Sequence, residues 1–176
     1  MGRRPHLLPF LLLTLLSACQ PLSDRGEILV FLVRHAERAH DGGMAPEEDP
    51  HLSPAGEERA IALARMLEDA GITHIHSTDY FRTRETAAPL ATAAGLSVSL
   101  YDAGDPGAIA ADLLATPGRH LVVGHSNSLP DLVTALGGDP HGAIDTMEYD
   151  RLYLLSIGPG GVETVLLRFG EPLRPS

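Results

Sequence analysis

Leu29-Val30-Phe31-Leu32-Val33 is a run of five apolar residues that stops on Arg34 and His35. A continuous apolar run of this length reads as a strand buried on both faces, the kind found in parallel sheets. Such a strand delivers the next residues to its carboxyl end, where ligands of open parallel sheets sit. A strand ending on two side chains able to carry positive charge therefore presents them to an anion. The design recurs downstream: Leu121-Val122-Val123-Gly124 leads into His125, and Ile75-His76-Ser77 closes a third, shorter run.

Between these runs lie segments with helical spacing. Ser53 is placed to cap a helix with Pro54 at its first position, and Ala60, Leu63, Ala64 and Leu67 recur on one face before Gly71. Asp79 is expected to cap a second helix running to about Ala94, with Pro89 kinking it and Gly95 ending it. Strands are expected over residues 28–33, 72–77, 96–101 and 120–123. Further helices are expected from Asp105-Pro106 through Leu114 and from near Asn127. Residues 151–157 and 162–169 flank Gly158-Pro159-Gly160-Gly161 and read as an antiparallel pair. Alternating strand and helix predict an α/β fold: a three-layer α/β/α sandwich around a mostly parallel sheet.

The amino terminus is expected to lie outside that fold. Arg3 and Arg4 precede an apolar stretch, Leu7 to Leu16, which is too short to span a bilayer at ~20 residues and reads as a secretory signal. Leu16-Ser17-Ala18 then leads into Cys19, the one cysteine of the chain. This resembles a bacterial lipobox, which implies lipidation of Cys19 and anchoring through its acyl chains. Gln20 after the cysteine points by the same resemblance to the outer membrane. Residues 1–18 are thus expected to be a signal peptide, 19–27 a lipid-anchored tether and 28–170 the folded domain. The expected location is the bacterial cell envelope, on the periplasmic face. With Cys19 an anchor, the domain has no disulfide and no thiol nucleophile. The formal net charge is −10 and all thirteen basic residues are arginine. Nucleic acid, which needs a basic footprint, is an unsuitable partner.

Four motifs in order carry a family resemblance. They are Arg34-His35-Ala36-Glu37, then Leu52-Ser53 with Gly56, then Ser77 with Arg82, Thr86 and Ala87, and finally Gly124-His125. Together they resemble the histidine phosphatase superfamily, with its phosphoglycerate mutase-like fold. The resemblance implies phosphomonoester hydrolysis through a covalent phosphohistidine, with no metal and no cofactor. His35 would attack phosphorus, Arg34 and Arg82 would clamp the phosphate oxygens, and His125 would add a charged donor. These roles suit the residues. Guanidinium groups stay charged and bind two oxygens at once. Neutral imidazole is a nucleophile when one ring nitrogen is free and the other is held as a donor.

The family's leaving-group acid follows a Leu-x-Glu pattern, and Leu100-Tyr101-Asp102 is the nearest match, so Asp102 is the candidate proton donor, with Glu148 behind it. Glu37 is expected to orient Arg34. Arg38 is able to reach the phosphate. Arg84, two positions from Arg82 on a helix, points away from it and is expected to be solvated or paired with an acid. Asp41 stands where the family often has asparagine and would repel phosphate. His74 and His76, two apart on a strand, share a face and could ligate zinc only with partners from elsewhere. The expected substrate is a phosphorylated small molecule or an envelope phosphate. The alternatives are a phosphohistidine-protein phosphatase and a non-catalytic lipoprotein module that binds anionic envelope components.

Overall fold

The computed structural model describes residues 26–39 and 49–171. The expected signal, Cys19 and most of the expected tether lie outside the described residues, as does Asp41. The elements in order are β1 (Ile28–Arg34), α1 (Pro54–Leu67), β2 (His74–Ser77), α2 (Phe81–Ala94), β3 (Val98–Leu100), α3 (Pro106–Ala115), β4 (Gly118–Gly124), α4 (Leu129–Ala135), β5 (Arg151–Gly158) and β6 (Gly161–Arg168). They form one six-stranded sheet in the order β3-β2-β4-β1-β5-β6. Strands β1 to β4 run parallel to one another, while β5 and β6 are antiparallel to their neighbours. The sheet is thus mixed, with a parallel portion and an antiparallel end.

Both faces of β1 are covered, which is why its sequence does not alternate. Phe31 and Val33 pack with Leu63 and Leu67 of α1 and Leu90 of α2. Val30 and Leu32 pack with Leu113 of α3 and Leu132 and Val133 of α4. Two helices on each face make the expected three layers. Burying leucine-sized side chains at ~1.5–3 kcal/mol each makes these two cores the main source of stability.

Local signals fared differently at different helix ends. Ser53 caps α1, its Oγ accepting from Gly56 N at 3.2 Å, and Asp105 caps α3 through Ala108 N at 2.9 Å. Gly95 takes the left-handed conformation, φ 66°, that ends α2. Helix α1 stops at Leu67, earlier than Gly71 suggested. Asp79 does not cap α2. Tyr80 holds the cap position, the carboxylate of Asp49 accepts from Phe81 N at 2.9 and 3.1 Å, and Asp79 pairs with Arg84 instead. Helix α4 starts at Leu129, because Asn127 and Ser128 complete a turn after His125.

Candidate active site

Parallel strands that end at one level bring the motifs together. Arg34 pairs with Gly124 across β1 and β4, and Ser77 pairs with Val123 across β2 and β4. His35, Thr78 and His125 therefore emerge side by side from three strand ends. His35 N donates to Gly124 O at 2.9 Å, which locks the two ends together. A Cβ on Gly124 would come within 2.7 Å of the Tyr101 hydroxyl and 3.0 Å of Leu129, so glycine precedes His125 for space.

Helix α2 is pinned to this point by Thr86. Its Oγ1 donates to Arg82 O at 2.7 Å and accepts from Ala36 N at 2.9 Å. The Arg-x-x-x-Thr spacing thus fixes the first turn of α2 against the segment after β1. Helix α1 approaches the same segment. A Cβ on Gly56 would lie 2.1 Å from Glu37 O, so the helix can dock there only with glycine. Glu37 does not orient Arg34. It accepts from Arg59 through both oxygens at 2.8–2.9 Å, and Arg59 also donates to Phe169 O and Glu171 O.

His35 is buried, and its Nδ1–H donates to Ala36 O at 2.7 Å. That bond assigns the lone pair to Nε2. Burial, aided by the charges of Arg34 and Arg82, outweighs the Ala36 carbonyl and pushes the imidazole pKa down to about 3. The ring is therefore neutral at neutral pH. Its centroid lies 5.4 Å from that of His125 and 6.0 Å from that of Tyr149.

Arg34 is buried and held from behind. Its Nη1 donates to the carbonyls of Asp145, Thr146 and Glu148 at 2.8–3.1 Å, and its guanidinium lies 4.0 Å over the Tyr149 ring. Arg82 stacks 4.3 Å over Tyr80 and donates from Nη1 to Asp49 at 3.3 Å. In both, the buried Nε has no acceptor among the described residues. A buried charged donor without a partner costs ~1–3 kcal/mol or more, and an anion between the two would recover that. Burial also lowers the pKa of each guanidinium.

The structure thus brings Arg34, His35, Arg82 and His125 to one place. It differs from expectation on the charge of His125. Burial, then Arg82 and Arg34, press its pKa down to about 4, so it is neutral before an anion arrives. Thr78 Oγ1 donates to Thr83 Oγ1 at 3.0 Å and accepts from His125 Nε2–H at 2.9 Å. Arg38 is exposed in a bridge with Leu52, and Arg84 is paired with Asp79.

Asp102 lies off this cluster. It is exposed, and its Oδ1 accepts from Gly104 N at 2.8 Å. It lines the cavity next to the one lined by Arg82 and His125. Glu148 is no proton donor. Burial favours its protonated form, but bonds from Arg151 and Arg168 hold its pKa below the ordinary value. Asp49 is the site residue that sequence reasoning missed. Its charge reaches both Arg82 and His125. His74 and His76 meet a third histidine, His120, in a stack of rings 4.7–6.5 Å apart that takes no part in the cluster of Arg34, His35, Arg82 and His125. Among the described residues no cluster fit to hold a metal occurs.

These histidines make stability depend on acid. His35, His76 and His125 have pKa values near 3, 4 and 4, and that of His120 is lowered too, all through burial first. In the unfolded chain each would titrate near ~6.5. The unfolded chain therefore takes protons first as pH falls. This stabilising contribution is whole above pH ~6.5 and drains between there and about 3. Thermal unfolding is expected to show a lower Tm at pH 5 than at pH 7.5, with a smaller drop in His76→Gln. Equal drops in the two proteins would contradict this origin of the acid sensitivity.

Parts of this chain and its fold resemble known proteins. Residues 30–103 match the histidine phosphatase superfamily, branch 1. The match includes Arg34, His35 and Arg82 but stops before His125, whose place rests on geometry. A probable phosphoglycerate mutase of Erwinia tasmaniensis is 38% identical over 73 residues, 40% of this chain and 34% of that protein. The matched segment thus spans about a third of the curated relative. A mycobacterial glucosyl-3-phosphoglycerate phosphatase aligns at TM-score 0.64 with 18% identity, covering 81% of this chain and 98% of that one. A putative phosphohistidine phosphatase SixA from Agrobacterium tumefaciens aligns at 0.61 with 20% identity, covering 80% and 97%. The family match and the relatives support a histidine phosphatase superfamily domain, and the solved structures show the phosphoglycerate mutase-like fold.

Proposed function

We propose that this protein hydrolyses phosphomonoesters through a phosphohistidine on His35, without a metal. One observation carries the reading: a neutral imidazole, with Nδ1 committed to Ala36 O, stands among two guanidinium groups that each keep a buried Nε without an acceptor among the described residues. Phosphate esters resist attack because their oxygens are negative, and positioned cations remove that resistance. In this reading Arg34 and Arg82 take the phosphoryl oxygens and His35 Nε2 attacks in line. His125 gains a proton as the anion enters and adds a donor. Water then opens the phosphohistidine.

The leaving oxygen needs a proton when the alcohol is a poor leaving group. Asp49 is tied to Arg82, Glu37 to Arg59, Glu148 to Arg151 and Asp79 to Arg84. A carboxylate paired with a cation holds its negative form. Beside these four, the Asp102 carboxylate accepts from a backbone N–H and pairs with no cation among the described residues, and so Asp102 is assigned the role. Asp102→Asn is expected to lower kcat on alkyl phosphates by roughly 10²-fold and to spare nitrophenyl phosphate, whose phenolate leaves unaided. Equal losses on both substrates would remove Asp102 from the mechanism.

The location stays part of the proposal. The amino-terminal signal and Cys19 support an envelope protein held by lipid, with small or envelope phosphates as substrates. Labelling with a radioactive fatty acid in cells, lost in Cys19→Ser, is the expected result.

A further inference from the structure

The phosphoryl site opens on two adjoining cavities. The first, about 270 Å³, is lined by Arg82, His125 and Asn127. The second, about 560 Å³, shares Tyr80, Ala103 and Gly104 with it and is walled by Leu100, Tyr101, Asp79 and Asp102. The two differ in charge. Arginine and histidine line the first, whereas no arginine, lysine or histidine lines the second among the described residues. Its ionisable walls are two aspartates and two tyrosines. Leu100 is 54% exposed and presents an apolar surface to it. The whole chain adds a negative field, with a net charge of −10.

We propose that the second cavity is the leaving-group subsite, and that it selects monoesters whose alcohol part is apolar or aromatic and carries no second anion. The proposal rests on the phosphatase reading above. A carboxylate or second phosphate there would lose water and find no cation among the described lining residues. An aromatic or alkyl body would cover Leu100 and the tyrosine rings. An amine would be welcome against the ring faces of Tyr80 and Tyr101. This preference sets the chain apart from a phosphoglycerate mutase, since a phosphoglycerate carries the second anion that this cavity has no means to hold.

The test is a series of three aryl phosphates: 4-ethylphenyl, 4-(aminomethyl)phenyl and 4-(carboxymethyl)phenyl phosphate. Their phenols ionise alike, so loss of a proton donor would lower all three rates together and leave their ratios unchanged. The expected result at low ionic strength is a kcat/KM for the carboxymethyl ester at least ~10-fold below that of the ethyl ester, with the aminomethyl ester equal or better. Leu100→Arg, which places a cation in the cavity, is expected to bring the carboxymethyl ester up to the ethyl one. A carboxymethyl ester used as well as the ethyl ester by the wild type, or a ratio untouched by Leu100→Arg, would overturn the proposal. If no ester were turned over, the phosphatase reading would fail by itself. The matching aryl phosphonates would then report the subsite by calorimetry, and equal affinity for the ethyl and carboxymethyl compounds would overturn it.

Discussion

His35→Ala is expected to remove turnover of every phosphomonoester the protein hydrolyses, with a loss on the order of 10³-fold or more. The expectation comes from position. His35 Nε2 keeps its lone pair, since Nδ1–H is spent on Ala36 O, and the charges of Arg34 and Arg82 reach the ring. The loss should fall on kcat, because Arg34 and Arg82 remain to bind the phosphoryl group. Rapid quenching with a phosphorus-labelled substrate should trap acid-labile phosphate on the wild type and none on the variant. Label that persists on His35→Ala would move the nucleophile elsewhere. Full activity of the variant with no label trapped would end the covalent reading altogether.

Arg34→Lys is expected to cost nearly as much, about 10³-fold in kcat/KM, although the charge is kept. Three backbone carbonyls from Asp145, Thr146 and Glu148 surround Nη1, and Tyr149 stacks on the plane. One guanidinium can satisfy those carbonyls and still offer Nε and Nη2 to phosphate. An ammonium has one nitrogen and must choose. If it stays with the carbonyls, the phosphate loses a clamp, and if it turns to the phosphate, the 145–149 segment loses its anchor. Steady-state kinetics together with a melting curve would tell which it does. Arg34→Lys at wild-type kcat/KM would show that point charge, rather than a planar fork, is what the site uses.

The strand ends were legible because burial writes itself into composition. Both faces of β1 are covered, so Leu29 to Val33 are apolar without alternation, and the break at Arg34 marks where the strand ends. The antiparallel pair was legible from the glycines between Ile157 and Val162. What did not show was which backbone or distant acid meets each cation. The carbonyls that hold Arg34 lie more than 110 positions away and carry no residue-specific mark. Asp49 meets Arg82 across 33 positions, and its sequence setting, an acid before a proline, is that of any turn. The same gap explains Glu37. Three positions after Arg34, it looks like that arginine's partner, yet the chain has left β1 by then, and Arg59 from α1 claims it.

Arg59 also ties together parts of the chain that share no strand. Its guanidinium grips Glu37, two residues past His35, and reaches the carbonyls of Phe169 and Glu171 beyond the last strand. A protease cut or a rigid fusion partner at that end would leave all six strands in place and still be felt in the segment that follows His35. Anyone immobilising or tagging the protein should attach it there only through a long, loose spacer, or expect the site around His35 to report the handling.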